Sequence, residues 1–548
     1  MLRVTALFLS FAAAAFAQIS AFPSASYFRE TFSPVVTKVE LRPPARLDDF
    51  VVGNQLELSL RSYLELVMAN NTEIQIQRLT VETAQNALTR ALAPFDPLAT
   101  ARFTSERSRT PSNDALAGAA TLSQLRQPAT FTYAQTLQNG TNYQVQYFAL
   151  KNATNSGFQN FNPAITSNLG FNFTQPLLRG RGAYVNRLPL MTARSRLRQT
   201  EYSLRDQVLR ILAEAELAYW NVVQARENLR VREAALDLAN KALERANKEL
   251  ELGAMSPLDI FQPQQQYATA EIDVSQSRYA LRQAEEALRR QMGADLDPDI
   301  RRLPVELTET VLPPAGTASL DAELEVEKAL ASRPDLRGAI QGLDIDDLQI
   351  QNLRNLSKPD LSLIGGYTAQ GRGGTFFQRS NVFTDAAGRS TIVQTIPGGF
   401  GDALDQMFGL GFPVYSFGLQ LRLPIRDRRV AADLADALVQ KRRDTLQVRS
   451  VEQTVRLDVL TAVNQVESSK ASVKLAATAL DFAQKYLDAE QKKYDLGTSQ
   501  IFFVLQAQNS LVNAQSALVR ESINYRRNLL NLLRRTGELL EARGVAVQ

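Results

Sequence analysis

Residues Ala218 to Gly293 align without a gap on Ala462 to Gly537 at a constant offset of 244. In the first copy Val222, Leu229, Leu236, Leu243 and Leu250 step by seven, and in the second Val466, Val473, Leu480, Leu487 and Tyr494 take the same five positions. Each run reaches a matching turn, Leu252-Gly253-Ala254 and Leu496-Gly497-Thr498, and a returning helix follows. A register held that long is a duplication. No Gly or Pro falls between Pro189 and Gly253, or between Pro424 and Gly497. Helices of about 60 to 70 residues would run about 90 to 105 Å at 1.5 Å per residue. Strict seven-residue spacing keeps the apolar seam on a neighbour and imposes a left-handed supercoil. The expected unit is a coiled-coil hairpin, present twice, with Gly253 and Gly497 in the left-handed position after the outgoing helix and Ser256-Pro257 opening the return.

The rest of the chain repeats more loosely. Helical pattern over 55–92 breaks near Asn70-Asn71, and a parallel stretch over 320–356 carries Arg333-Pro334-Asp335-Leu336 at the corresponding place. Between Pro97 and Arg179 the period changes to two. Leu169, Phe171 and Phe173 alternate with Gly170, Asn172 and Thr174, and Asn139-Gly140 is a strong hairpin signal. In the second half Tyr415, Phe417, Leu419, Leu421 and Leu423 alternate with Ser416, Gly418, Gln420 and Arg422, with a weaker partner at Leu361, Leu363 and Tyr367. One face of these strands is apolar and the other polar, which suits lipid outside and a wet lumen inside.

Composition closes several routes. The chain has neither His nor Cys, which removes disulfides, the usual zinc and haem ligands and the commonest general base. No carboxylate pair sits in a recognisable catalytic motif, so no catalytic, cofactor or metal site is expected. Asp344, Asp346 and Asp347 read as a solvated helix face. With 61 Lys and Arg against 57 Asp and Glu, interspersed, no basic block invites nucleic acid. Gly371-Arg372-Gly373-Gly374 lacks the Lys-Ser/Thr of a phosphate loop and is expected at a loop tip, within a long excursion from Gln370 to Gly411.

Met1 to Ala17 has a charged head, an apolar run and Ala15-Phe16-Ala17, the pattern of a secretory signal peptide. No later apolar run reaches the ~18 residues of a membrane helix, so insertion must use strands. The expected order is signal peptide 1–17, lead segment 18–54, first repeat 55–293 (helix, strands 97–178, hairpin 187–293), connector 294–319, second repeat 320–537 (helix, strands 360–425, hairpin 427–537) and tail 538–548.

This order resembles the TolC family of outer-membrane channel-tunnels, from about Gln55 to Gly537. Its most specific pieces are Ser332-Arg333-Pro334-Asp335-Leu336, Leu421-Arg422-Leu423-Pro424-Ile425 and the twin turns; Gln175-Pro176-Leu177-Leu178-Arg179-Gly180 stands at the first strand-to-helix junction. The resemblance implies a mainly α fold with β: a homotrimeric channel-tunnel with a periplasmic helical barrel and a transmembrane β-barrel of four strands per chain. The hairpin over Thr130 to Leu150 departs from the minimal pattern and would make six strands per chain if it joins the wall. The resemblance also implies an export duct of a tripartite efflux or type I secretion system, in contact with outer-membrane lipid. A periplasmic adaptor (membrane fusion) protein would meet Leu252, Gly253, Ala254, Leu496, Gly497 and Thr498, coupling to an inner-membrane pump. Relatives close the periplasmic tip with an Asp–Tyr hydrogen bond, an Arg link and two Asp residues. Asp259 and Tyr494 occupy the first pair, Ser499 the Arg position, and Phe503 and Gln506 the Asp positions, so the Arg link and the acidic ring are not retained. The competing reading is a soluble periplasmic coiled-coil scaffold, and a hydrolase stands third. A scaffold has no use for a lipid-facing row of apolar strand residues.

Overall fold

A computed structural model describes residues 45–112, 119–157, 159–253, 255–311, 320–380 and 391–545. The expected signal peptide, the lead segment up to residue 44 and Ala254 lie outside these residues.

The elements in chain order are β1 (Val51–Val52), β2 (Gln55–Leu58), α1 (Leu60–Asn70), α2 (Thr72–Arg90), β3 (Leu98–Phe103), β4 (Glu106–Pro111), β5 (Thr121–Thr136), β6 (Asn142–Thr154) and β7 (Phe161–Pro176). The first hairpin is α3 (Leu188–Glu251) and α4 (Phe261–Gln291), followed by β8 (Val305–Leu307). The second half has α5 (Ala322–Ser332), α6 (Pro334–Leu356), β9 (Asp360–Arg379), β10 (Ile392–Ile396), α7 (Phe400–Phe408), β11 (Phe412–Arg422), α8 (Arg428–Asp495) and α9 (Ile501–Thr536).

The helix break at Asn71 has a local cause. Its side chain accepts from the amides of Glu73 and Ile74 at 3.0 and 3.3 Å, capping α2. It also donates to the Gln291 carbonyl at 3.0 Å, which ties the break to the end of the first hairpin. The stretch 55–58, expected as helix, is instead strand: Leu56 and Leu58 point inward and pair in parallel with Val305 and Leu307 across the connector. That pairing ties the first half to the connector through a small sheet ordered β1-β2-β8.

Both long helices run unbroken, α3 for 64 residues and α8 for 68, or about 96 and 102 Å. The main core gathers where α3 passes the short helices of the first half: Leu56, Tyr63, Leu66, Ile74, Leu212, Tyr219, Leu288 and Met292 are fully buried there. The tail, which reads as uninformative in sequence, completes this core. Leu539 and Leu540 are buried in it, and Arg543 grips Glu216 of α3 through two contacts at 2.6 and 2.9 Å. Glu216 also accepts from the indole of Trp220 at 3.2 Å. The acidic face of α6 is partly engaged: Asp347 pairs with Lys441 of α8, and Asp344 accepts from Gln341 at 3.0 Å.

The strands form one antiparallel sheet with neighbours β11-β9-β7-β6-β5-β3, where β10 extends β11 along the same edge of β9 and β4 extends β3 along the same edge of β5. The 130–150 hairpin therefore belongs to the sheet. Its register is continuous from Thr136↔Asn142 to Gln124↔Thr154, and β6 pairs with β7 from Asn142↔Thr174 to Asn152↔Ala164. Of the two expected counts, four strand positions per chain or six, the sheet has six. The pairings Leu361↔Leu421, Leu363↔Leu419 and Tyr367↔Tyr415 place those residues on one face together with Leu169, Phe171 and Phe173. Ser362, Gly366, Asn172, Ser416 and Gln420 fall on the other.

The glycine run is corrected outright. Gly371 to Gly374 lies inside β9, and the expected excursion contains β10 and α7. A Cβ on Gly371 would overlap the carbonyl oxygen of Ala403, and one on Gly373 that of Gly399. The glycines are there because a helix backbone rests on the strand. Among the described residues no helix is long and apolar enough to cross a membrane.

Candidate functional site

The two hairpin tips lie side by side. At the second, the amide of Gly497 donates to the Tyr494 carbonyl at 2.9 Å and that of Thr498 to Lys493 at 2.9 Å, the paired bonds of a Schellman turn. At the first, the amide of Gly253 donates to Leu250 at 3.0 Å. The glycines have φ of +73° and +72°, conformations open to Gly without strain. Both turns thrust a leucine outward: Leu252 is 83% and Leu496 78% exposed. The expected helix start at Ser256-Pro257 is corrected. Ser256 holds a turn, accepting from the amides of Leu258 and Asp259, and α4 begins at Phe261.

One turn back from the tip, four side chains join the hairpins. Arg245 of α3 contacts Glu249 one turn on at 2.9 Å and Asp495 of α8 at 2.7 Å. Its guanidinium lies 4.5 Å from the centre of the Tyr494 ring. The Tyr494 hydroxyl donates to Glu249 at 2.5 Å. This corrects the pairing of Tyr494 with Asp259 within the chain. Glu249 lies on the straight run of α3 facing α8, whereas Asp259 stands exposed beyond the turn. Burial, then the bond to Glu249, pushes the Tyr494 hydroxyl up to about 12. The bond from Arg245 holds Asp495 below the usual carboxylate range.

Ser499 has a different role from a cross-link. It donates to Glu490 at 3.0 Å, and Lys493 contacts the same carboxylate at 2.6 Å, so the group stays within the second hairpin. The Lys493 bond, then that from Ser499, holds Glu490 below its ordinary range. Phe503 stacks edge-on with Phe502 at 5.4 Å, and both are exposed. Gln506 is exposed on the same returning helix, while Val504, Ala507 and Leu511 pack inward against Leu487. Farther along, Gln266 of α4 and Asn509 of α9 exchange amide bonds at 2.7 and 3.3 Å.

Arg245 and Glu249 escaped the sequence reading although a signal existed. At the 244 offset they align with Ala489 and Lys493, so the copies differ in charge where the hairpins are joined. A clasp between unlike positions is invisible to an argument built on what the copies share.

Two further features concern surfaces that this chain leaves uncovered. On α8 the exposed Val439, Leu446, Leu457, Leu475 and Phe482 are separated by 7, 11, 18 and 7 residues, which is one line along a helix. On α4 the exposed Phe261, Ile272 and Tyr279 are separated by 11 and 7. The sheet ends in two edges, β11 on one side and β3 with β4 on the other, that have no strand partner among the described residues.

Residues 326–538 match the family model described as outer membrane efflux protein. The chain is 26% identical over 346 residues to the outer membrane protein TolC of Escherichia coli, covering 61% of this chain and 63% of that protein. It is 24% identical over 321 residues to the outer membrane efflux protein BepC of Brucella suis, covering 58% and 61%. The chain thus spans less than two thirds of these relatives. Among solved structures, CusC superposes with a TM-score of 0.60 at 16% identity, over 91% of this chain and 95% of that one. The Campylobacter jejuni CmeC outer membrane channel gives 0.58 at 16%, over 88% and 86%. At such identities these likenesses concern the fold.

Proposed function

We propose that this chain, which carries the outer membrane efflux protein signature over residues 326–538, is one subunit of a homotrimeric export channel of the outer membrane. It serves a tripartite efflux or type I secretion system as a passive duct from periplasm to exterior. The observation that carries this reading is a sheet with one apolar face and two open edges. In hydrocarbon every backbone N–H and C=O must be paired, so such a sheet has to close. Six strand positions curve too little to close alone, since barrels start at about eight. Three copies joined β11 to β3 supply eighteen positions. The apolar lines on α8 and α4 would then meet neighbouring copies as the helices close into a tube. Each buried Leu or Phe along them contributes about 1.5–3 kcal/mol. A scaffold in water would leave the row Tyr415, Phe417, Leu419 and Leu421 exposed to solvent, as it stands in the single chain. The expected preparation is a membrane-fraction protein that detergent extracts as a trimer. Light scattering that found a detergent-free monomer would overturn the reading.

The tips are the end that meets the rest of the machine. Leu252 and Leu496, pushed into solvent by rigid glycine turns, suit a periplasmic adaptor that couples the duct to an inner-membrane pump. Closure of the tip falls to the clasp of Arg245, Glu249, Tyr494 and Asp495. A hydroxyl-to-carboxylate bond contributes about 1.5–3 kcal/mol, and partial exposure favours the low end. Three copies then give about 4.5 kcal/mol, just short of the about 5.5 kcal/mol that separates 1:99 from 99:1. Tyr494→Phe should therefore raise single-channel conductance in planar bilayers partly, and Tyr494→Phe with Arg245→Gln should raise it further, with the trimer intact. An unchanged double variant would assign closure to packing around Phe503.

The same clasp fixes a pH window. Asp495 has a depressed pKa, so its contribution is present above the ordinary aspartate pKa and is lost only as pH falls below about 4. Tyr494 is raised, so its hydroxyl contributes below pH 10 and is lost as pH climbs towards about 12. Wild-type conductance is expected to be flat from pH 5 to pH 9 on that same linkage.

A further inference from the structure

β9 outruns its neighbour. β11 begins opposite Gln370, and β10 takes over only from Phe376, which leaves a gap along that edge of β9. The helix α7 lies over the gap. The amide of Arg372 donates to Oε1 of Gln406 at 3.0 Å, the bond that a missing strand would otherwise provide. Ala403 and Met407 are buried beneath the helix, and Met407 Sδ meets Ser167 Oγ at 3.5 Å. The N-terminal turn is closed by Asp402, which accepts from the Gly399 amide at 2.6 Å.

The face on which α7 rests decides its surroundings. Gly371 and Gly373 stand on the same side of β9 as Leu361, Leu363 and Tyr367, so α7 sits on the apolar face of the sheet. From Leu361 to Gly371 is ten residues, about 33 Å along the strand and about 23 Å in height at a 45° tilt, against an apolar belt of about 25 Å. That height is the outer margin of the belt. Along one flank of α7 Phe400 and Phe408 are exposed, with Leu410 just past the helix end, while the side turned away from the sheet carries Asp402 and Asp405.

We propose that α7 is an interfacial helix of the outer leaflet, sealing the β9 edge and laying Phe400, Phe408 and Leu410 among lipid acyl chains. This rests on reading the sheet as a membrane wall. Acyl chains rather than a second copy are the occupant, because the Phe400 and Phe408 flank lies on the same apolar face as the outward row Tyr415, Phe417 and Leu419 of the same chain, while Asp402 and Asp405 suit the headgroup level. Copies would join edge to edge in the plane of the sheet, whereas α7 lies on top of it.

The test uses the full-length protein in vesicles of phosphatidylcholine brominated at defined acyl depths. The chain has one tryptophan, Trp220, buried against Arg526 in the helical core, which serves as an unquenched reference. Phe408→Trp should be quenched most by bromines near the headgroup end of the chains, as an interfacial helix requires. Phe417→Trp should be quenched by deeper bromines and reports on the wall itself. Gly371→Leu, combined with Phe408→Trp, should weaken the shallow quenching by lifting the helix. If that pair fails to fold, the Phe408→Trp measurement decides by itself. Quenching at Phe417 without quenching at Phe408 would overturn the interfacial helix and leave the wall standing. Quenching at neither would overturn both.

Discussion

Phe417→Arg is expected to abolish membrane assembly, while Ser416→Arg leaves it intact and alters ion selectivity. The two residues are neighbours on β11 and face opposite ways: Phe417 stands opposite Gly365 on the apolar side, and Ser416 opposite Gly366 on the polar side. Phe417 is the central residue of the strand, whereas Leu421 lies one residue from its end. Arg on a lipid face costs about 2–4 kcal/mol at the midplane and about 0–1 near the interfaces, so the middle position is the sharper test. In the proposed trimer three copies carry the change at once, which multiplies it to about 6–12 kcal/mol. Whole domains are stable by about 5–15 kcal/mol. The check is heat-resistant trimer on gels and protein in the membrane fraction. The opposite pattern, with Ser416→Arg lost and Phe417→Arg assembled, would invert the assignment of faces.

Arg543→Ala is expected to be the most damaging single change outside the sheet. Its partner Glu216 is only 1% exposed, within the core of the helical region. Removing one member of a buried pair leaves the other charge unpaired, at about 3–5 kcal/mol. The Arg543 side chain is 27% exposed, so water offsets part of the loss and about 3 kcal/mol is the appropriate figure. Arg543→Lys should recover part of it, since the charge returns without the two-pronged contact. Thermal unfolding would register the loss as a lower midpoint, with Arg543→Lys between wild type and Arg543→Ala. Wild-type stability in Arg543→Ala would mean that Leu539 and Leu540 hold the tail without the ion pair.

How much of this was legible depended on periodicity. The hairpins announce themselves through Val222, Leu229 and Leu236 and their counterparts, because a seam buried along a whole helix must repeat. The strands showed through alternation at Phe171 or Leu419 for the same reason. What the sequence hid was contact between unlike, non-repeating positions. Arg245 meets Asp495, Leu56 pairs with Val305, and Arg543 reaches Glu216; no local period marks any of them. Gly371 and Gly373 misled for another reason. Glycine usually signals a turn, but here it makes room for the backbone of α7, a partner about 30 residues away in the chain.

The docking of residues 539–543 also bears on the timing of folding. Leu539, Leu540 and Arg543 fill and neutralise a core most of whose other members, from Leu47 to Leu307, are translated long before them, with only Ile523 and Leu530 close ahead. Until those late residues emerge, Glu216 lacks the Arg543 guanidinium and the core lacks Leu539 and Leu540. A chain translated only as far as Thr536 is therefore held short of the stability that residues 539–543 add. If the chain crosses a membrane unfolded, as the proposed export duct requires, that delay keeps it pliable in transit.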